Sequence, residues 1–146
     1  MGRVLAAAPL LALPVAAYNL IAIALGGFGQ VGLAPHLTAA LFETRSVAGD
    51  AWPVSISDLL LAAALVTMFV ELVKAPPDRR IAVVNHALSI VLFVVCLAEM
   101  LVFAGFANST FFLITLMVLL DVLAGFILGA YLRKPEREIR PRAPRG

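Results

Sequence analysis

Charge is scarce in this chain: Asp, Glu, Lys and Arg make up 14% of its 146 residues, against 62% hydrophobic residues and a mean hydropathy of +1.02. A soluble globule needs more polar surface than this composition supplies, so lipid is the expected solvent. Cysteine occurs once, as Cys96 within an apolar stretch, which excludes an intramolecular disulfide and any paired-thiol motif. A P-loop, His-Glu-x-x-His and Gly-x-Ser-x-Gly are all missing. With almost no polar mass outside the apolar runs, the expectation is a protein that is not an enzyme and that takes no metal, cofactor or nucleic acid.

What charge there is clusters, leaving uncharged runs long enough for a membrane core of ~30 Å at ~1.5 Å per helical residue. The first run covers 4–25 and contains Pro9, Pro14, Tyr18 and Asn19, all tolerable where freed backbone groups face neighbouring helices. A secretory leader is the rival reading, with Arg3 as its basic start and Val15-Ala16-Ala17 as its small-residue site; the continuation of the run to Leu25 favours a span. Residues 26–57 form one long outer loop, opening on Gly26, Gly27 and Gly29. Within it, 41–47 and 51–57 alternate apolar and polar residues around Ala48-Gly49-Asp50, the pattern of a short β-hairpin, with Pro53 confining the second strand to an edge. Trp52 is expected at the membrane interface.

The second span, 58–75, is opened by the capping-box pattern Ser55-Ile56-Ser57-Asp58 and stopped by Pro76-Pro77, which makes Asp58 a helix-start carboxylate. The short connection through Asp78, Arg79 and Arg80 makes the second and third spans adjacent antiparallel helices. The third covers 81–106. A turn at Ala107-Asn108-Ser109, with Asn108 or Ser109 as cap, starts the fourth, 110–132; Asn108-Ser109-Thr110 matches a glycosylation acceptor by pattern alone. Residues 133–146, with Pro135, Pro141 and Pro144, read as a disordered basic tail. The fold class is therefore an all-α membrane protein, a four-transmembrane-helix bundle forming one domain over 1–132.

Orientation follows from the basic residues. Of the eleven, Arg45 alone falls in the outer loop; Arg3, Lys74, Arg79, Arg80 and the six of the tail (Arg133, Lys134, Arg137, Arg140, Arg142, Arg145) share the other side. The positive-inside rule then places both termini in the cytoplasm. The tail serves as a topology determinant or adds affinity for anionic lipid.

Ionisable residues near a span centre cost ~2.5 to 3.5 kcal/mol each on insertion scales, so Glu71, His86, Glu99 and Asp121 stand out. Glu71, Asn85 and His86 flank the cytoplasmic turn at similar depth and are placed to touch. Either Glu71 pairs with Lys74 and snorkels while His86 hydrogen-bonds within the bundle, or the two handle protons. Haem is not expected, because the second histidine, His36, lies in the outer loop. Asn85, Ser89, Cys96 and Glu99 form a polar stripe within an arc of ~80° on the third span, facing the bundle interior or an oligomer interface. Leu92, Phe93, Leu97 and in part Met100 lie opposite and suit lipid or packing. Glu99 is near the depth of Tyr18 and Asn19, either of which can hydrogen-bond it. Asp121, near the midplane, shares a face with Gly125 and Gly129, where another helix can approach closely; it reads as an interhelical hydrogen bonder or a titrating ion-pathway residue.

Ser57-Asp58-Leu59-Leu60-Leu61, Val70-Glu71-Leu72-Val73-Lys74-Ala75, the stretch 85–101, and Ser109-Thr110-Phe111-Phe112 through Asp121 to Phe126 together resemble an uncharacterised family of small four-span inner-membrane proteins of alphaproteobacteria. The resemblance covers about half the chain and contains no catalytic motif. It implies the topology and a bacterial inner (cytoplasmic) membrane, and no activity.

The functional expectation is an accessory or structural subunit that packs in the bilayer against itself or within a larger membrane complex, with Ala62-Ala63-Ala64, Gly125 and Gly129 as close-packing surfaces. The alternative is a proton or cation channel or transporter, oligomeric at this size, built on Asp121, Glu99, Glu71 and His86.

Overall fold

The computed structural model describes residues 8–26, 33–74 and 79–132. It is mostly helical. Three helices are long and apolar enough to cross a membrane, over Ile56–Val73, Arg80–Val102 and Ser109–Ile127, and a shorter apolar helix spans Ala12–Ala24. The expected tail, the first residues of the chain, the glycine-rich opening of the loop and the centre of the Pro76-Pro77 turn lie outside the described residues.

Helix α1, Ala12–Ala24, is 13 residues long, or ~20 Å, and so starts later than the span expected over 4–25. Residues 9–11 form a turn instead, with Ala12 N–H donating to Pro9 O at 3.1 Å and Leu13 N–H to Leu10 O at 3.0 Å. Proline explains the shift. Pro14 falls in the first helical turn, where its missing N–H costs nothing, and Pro9 is left ahead of the helix. Gly26 closes α1 with φ at 118°, a conformation open to glycine.

Helix α2, Leu33–Thr38, is a short helix of fewer than two turns that buries Leu33 and Leu37. The expected hairpin follows, as β1, Ala40–Arg45, and β2, Ala51–Ser55, paired antiparallel. Its turn is held by Ser46 N–H to Asp50 O and Gly49 N–H to Ser46 O, both 2.9 Å, with Gly49 at φ 94°.

Strand β2 passes directly into α3, Ile56–Val73, and Ser55 is its cap. The backbone N–H of Ser55 donates to Asp58 Oδ2 at 2.9 Å and that of Asp58 to Ser55 Oγ at 3.3 Å, a complete capping box that starts the helix slightly before the expected 58. Helix α4, Arg79–Val102, stops short of the expected 106. Phe103 turns extended, and a 3-10 turn over Ala104–Phe106 folds the chain inward, burying Gly105 and Phe106. Helix α5, Ser109–Leu132, is capped by Asn108, whose Oδ1 accepts from Phe111 N–H at 3.1 Å.

Packing places α5 at the centre, against α3, α4 and the edge of α1, while α1 lies along α3. Within the spanning windows 39% of α5 is buried and only 11% of α4, so α4 is the peripheral helix. The expected adjacency of the second and third spans is therefore not a packed seam: α5 is the close neighbour of both α3 and α4. Tyr18, Phe106 and Phe111 form the aromatic centre of the core, with ring centroids 4.7 to 5.2 Å apart. Such contacts matter here because lipid tails compete with apolar side chains on equal terms, leaving packing and hydrogen bonds to hold helices together. Phe69, Val91, Leu101 and Phe126 are among many large apolar residues left exposed, a surface suited to lipid and unsuited to water.

Candidate functional site

Polar side chains of α3 and α4 and a backbone group of the turn before α1 converge on Glu71. Its side chain is 1% exposed, so the carboxylate is enclosed by protein and does not reach for the interface as snorkelling requires. Lys74, one turn along α3, pairs with it at 2.9 Å. Asn85 Nδ2 of α4 donates to Oε1 at 2.7 Å, and the backbone N–H of Leu10 donates to Oε2 at 2.9 Å. Lys74 Nζ also donates to Ala8 O at 3.0 Å. The pair thus supplies the donor and the acceptor that the proline-interrupted backbone before α1 lacks, which is how unsatisfied peptide groups are accommodated in lipid.

The second buried carboxyl is Asp121 on α5, 9% exposed, whose Oδ2 accepts from Ser89 Oγ of α4 at 2.7 Å. Ser89 Oγ also lies 3.2 Å from its own helix's Asn85 O. Hydrogen bonds thus run from Asp121 through Ser89 and Asn85 to Glu71 and Lys74, so these groups form one cluster.

His86 does not join Glu71 in any described contact. Its ring lies over Gly125, where a Cβ would stand 2.9 Å from Cε1, and meets Phe126 edge-on at 4.7 Å. Gly125 thereby seats an imidazole of its own chain, not a second helix backbone. Among the described residues nothing outside the local helix backbone stands within 4 Å of where the Cβ of Gly129 would be. Two buried atoms of this region, Asn85 Oδ1 and His86 Nε2, have no hydrogen-bond partner among the described residues.

Glu99 belongs to a separate polar group at the other end of the bundle. Asn19 Nδ2 lies 3.3 Å from Glu99 Oε2 and 3.1 Å from Val15 O. Tyr18 turns away from Glu99: its hydroxyl donates to Gly105 O at 3.0 Å and receives Asn108 Nδ2, whose amide also reaches Gly105 O at 2.9 Å. Ser57 and Thr110 join α3 to α5 through their hydroxyls at the same end. Of the stripe on α4, Ser89 and Cys96 are fully enclosed, while Leu92, Phe93 and Met100 also pack on the core; Leu97 is exposed, with Val91, Val94, Val95 and Leu101 among others on the surface suited to lipid.

The Leu10 N–H and the Ala8 carbonyl in the Glu71 cluster have no sequence signal beyond the prolines, since backbone groups look alike in every sequence, whereas the pairing of Glu71 with Lys74 follows from their spacing. Residues 27–32 spell Gly-x-Gly-x-x-Gly. That fingerprint cradles a pyrophosphate only between a strand and a helix, and here α1 precedes it. Among the described residues no group of His, Cys, Asp and Glu is arranged to hold a metal ion. The chain matches no family model, and neither the curated proteins nor the solved structures contain a match to it.

Proposed function

We propose that the chain is a small multi-pass membrane subunit that works by assembly, as part of a homo-oligomer or a larger complex of a bacterial inner membrane, with both termini in the cytoplasm. The observation that carries this reading is how the intramembrane polar groups are used. Glu71 ties α3 to α4 and to the turn before α1, Asp121 ties α5 to α4, and Glu99 meets α1, so each carboxyl serves as a joint between segments. A chain built this way presents outward-facing apolar helices, of which α4 has the most surface left over for a partner helix. The one-sided distribution of lysine and arginine supports the orientation. Extraction in mild detergent followed by native mass spectrometry and blue native electrophoresis is expected to return a homo-oligomer or stable partners. A chain that migrates only as a 15.5 kDa monomer in its detergent belt overturns the proposal.

A second reading, a proton or cation conduit, is favoured by one observation: among the described residues Asn85 Oδ1 and the neighbouring His86 Nε2 are buried without partners, and Asn85 links Glu71 to the Ser89 that bonds Asp121. Buried orphan atoms in native proteins call for an explanation such as water or an ion. Asp121→Asn keeps the shape of the side chain and removes its charge. Loss of proton or cation flux in liposomes, with oligomeric state and melting temperature retained, supports the conduit; wild-type flux no greater than that of empty liposomes removes it.

A further inference from the structure

The register of the hairpin sorts its side chains by face. Directly opposed residues of an antiparallel pair project to the same side, and successive residues alternate. Phe42 opposes Val54 and Thr44 opposes Trp52, which puts these four on one face; Glu43 opposes Pro53 and Arg45 opposes Ala51, which puts both strand charges on the other. The hairpin is therefore amphipathic across its thickness. Its uncharged face is largely uncovered within the chain, with Phe42 53% and Trp52 63% exposed. A lone two-stranded hairpin is marginal in water, and burying such a face is what stabilises it.

The position of the hairpin identifies what covers that face. Ser55 is both the last residue of β2 and the cap of α3, so the base of the hairpin is fixed at the level where a crossing helix begins. At ~3.3 Å per strand residue, Trp52 stands within ~10 Å of that cap. Tryptophan favours this layer, where its ring meets apolar chains and its N–H meets headgroups. The lipid-facing surface of α3 starts at once below, with Leu59 49% exposed, so the hairpin is continuous with a surface already suited to lipid.

We propose that the Phe42, Thr44, Trp52, Val54 face lies in the headgroup layer of the leaflet from which α3 starts, with Glu43 and Arg45 turned to water. The occupant of the face is the lipid surface. This proposal needs the chain to be a membrane protein but does not depend on its assembling with partners.

Trp52 is the chain's one tryptophan and reports on this face directly. The full chain is reconstituted in phosphatidylcholine vesicles carrying bromines either high or low on the acyl chains. Blue-shifted emission, shielding from acrylamide and stronger quenching by the shallow bromines are expected. A reporter moved to the other face, Glu43→Trp in a Trp52→Phe background, should emit to the red, be quenched by acrylamide and ignore the bromines. Emission from Trp52 that is water-like and untouched by bromolipid overturns the proposal, as do identical signals from both faces. Shielding without bromine quenching that weakens on dilution into excess lipid also overturns it, assigning the face to a second copy.

Discussion

Asn85 Nδ2 on α4 donates to Glu71 Oε1 on α3 at 2.7 Å, joining two helices that each pack mainly on α5. A hydrogen bond to a charged group in a water-poor setting is worth more than the apolar contact it replaces, and leaving it unmade is costly. The Glu71 carboxylate also satisfies a backbone N–H and a lysine, so several groups depend on it at once.

Glu71→Leu should therefore lower stability by roughly 2 to 4 kcal/mol, because it strands the Lys74 ammonium, the Leu10 N–H and the Asn85 amide. Adding Lys74→Leu should recover part of the loss by removing the uncompensated cation. Reversible unfolding in mixed micelles, followed by circular dichroism, reads both effects. A single variant as stable as wild type would show that the cluster holds nothing together.

The two glycines of α5 should respond in opposite directions. Gly125→Ala drives a methyl group into the His86 ring and should cost ~1 to 3 kcal/mol, as overpacking does. His86→Ala in the same chain should restore stability. Gly129→Ala meets open space and should be neutral or stabilising by up to ~1 kcal/mol through helix propensity. Equal losses at both positions in the isolated monomer would contradict the seating of His86.

Asn108 has two tasks, capping α5 through Oδ1 and bonding the Tyr18 hydroxyl through Nδ2. Asn108→Ala should cost ~1 to 2 kcal/mol or more, against a small effect for Ser109→Ala. Tyr18→Phe should cost ~1 kcal/mol, and the double variant less than the sum of the two. Strict additivity in that cycle would refute the link between α1 and the cap.

Orientation is checked by thiol labelling in intact cells, in a Cys96→Ala background. Asp50→Cys, in the exposed hairpin turn, should react with a membrane-impermeant maleimide, and Arg145→Cys should react only after permeabilisation. The reverse pattern would invert the topology.

Much of this protein is set by short-range sequence. The apolar runs that become α3, α4 and α5 follow from composition, because a peptide group in lipid must bond within its own segment. The capping box of Ser55 and Asp58, the cap at Asn108 and the hairpin around Gly49 are equally local, each resting on residues a few positions apart. Part of the polar site was legible in the same way: matched depth from the chain turns places Glu71 beside Asn85 and Asn19 beside Glu99. Depth is one coordinate, and azimuth is not written in it. That α5 is the close neighbour of both α3 and α4, that His86 settles on Gly125, and that Tyr18 selects Gly105 and leaves Glu99 to Asn19 were decided by three-dimensional packing. So were the late start of α1 and the early end of α4, where backbone groups ahead of α1 find Glu71 and Lys74 and Phe106 finds the aromatic core. Local pattern determines which segments become helices in lipid; which polar partner each helix turns toward depends on rotations that only simultaneous packing of all the helices can choose.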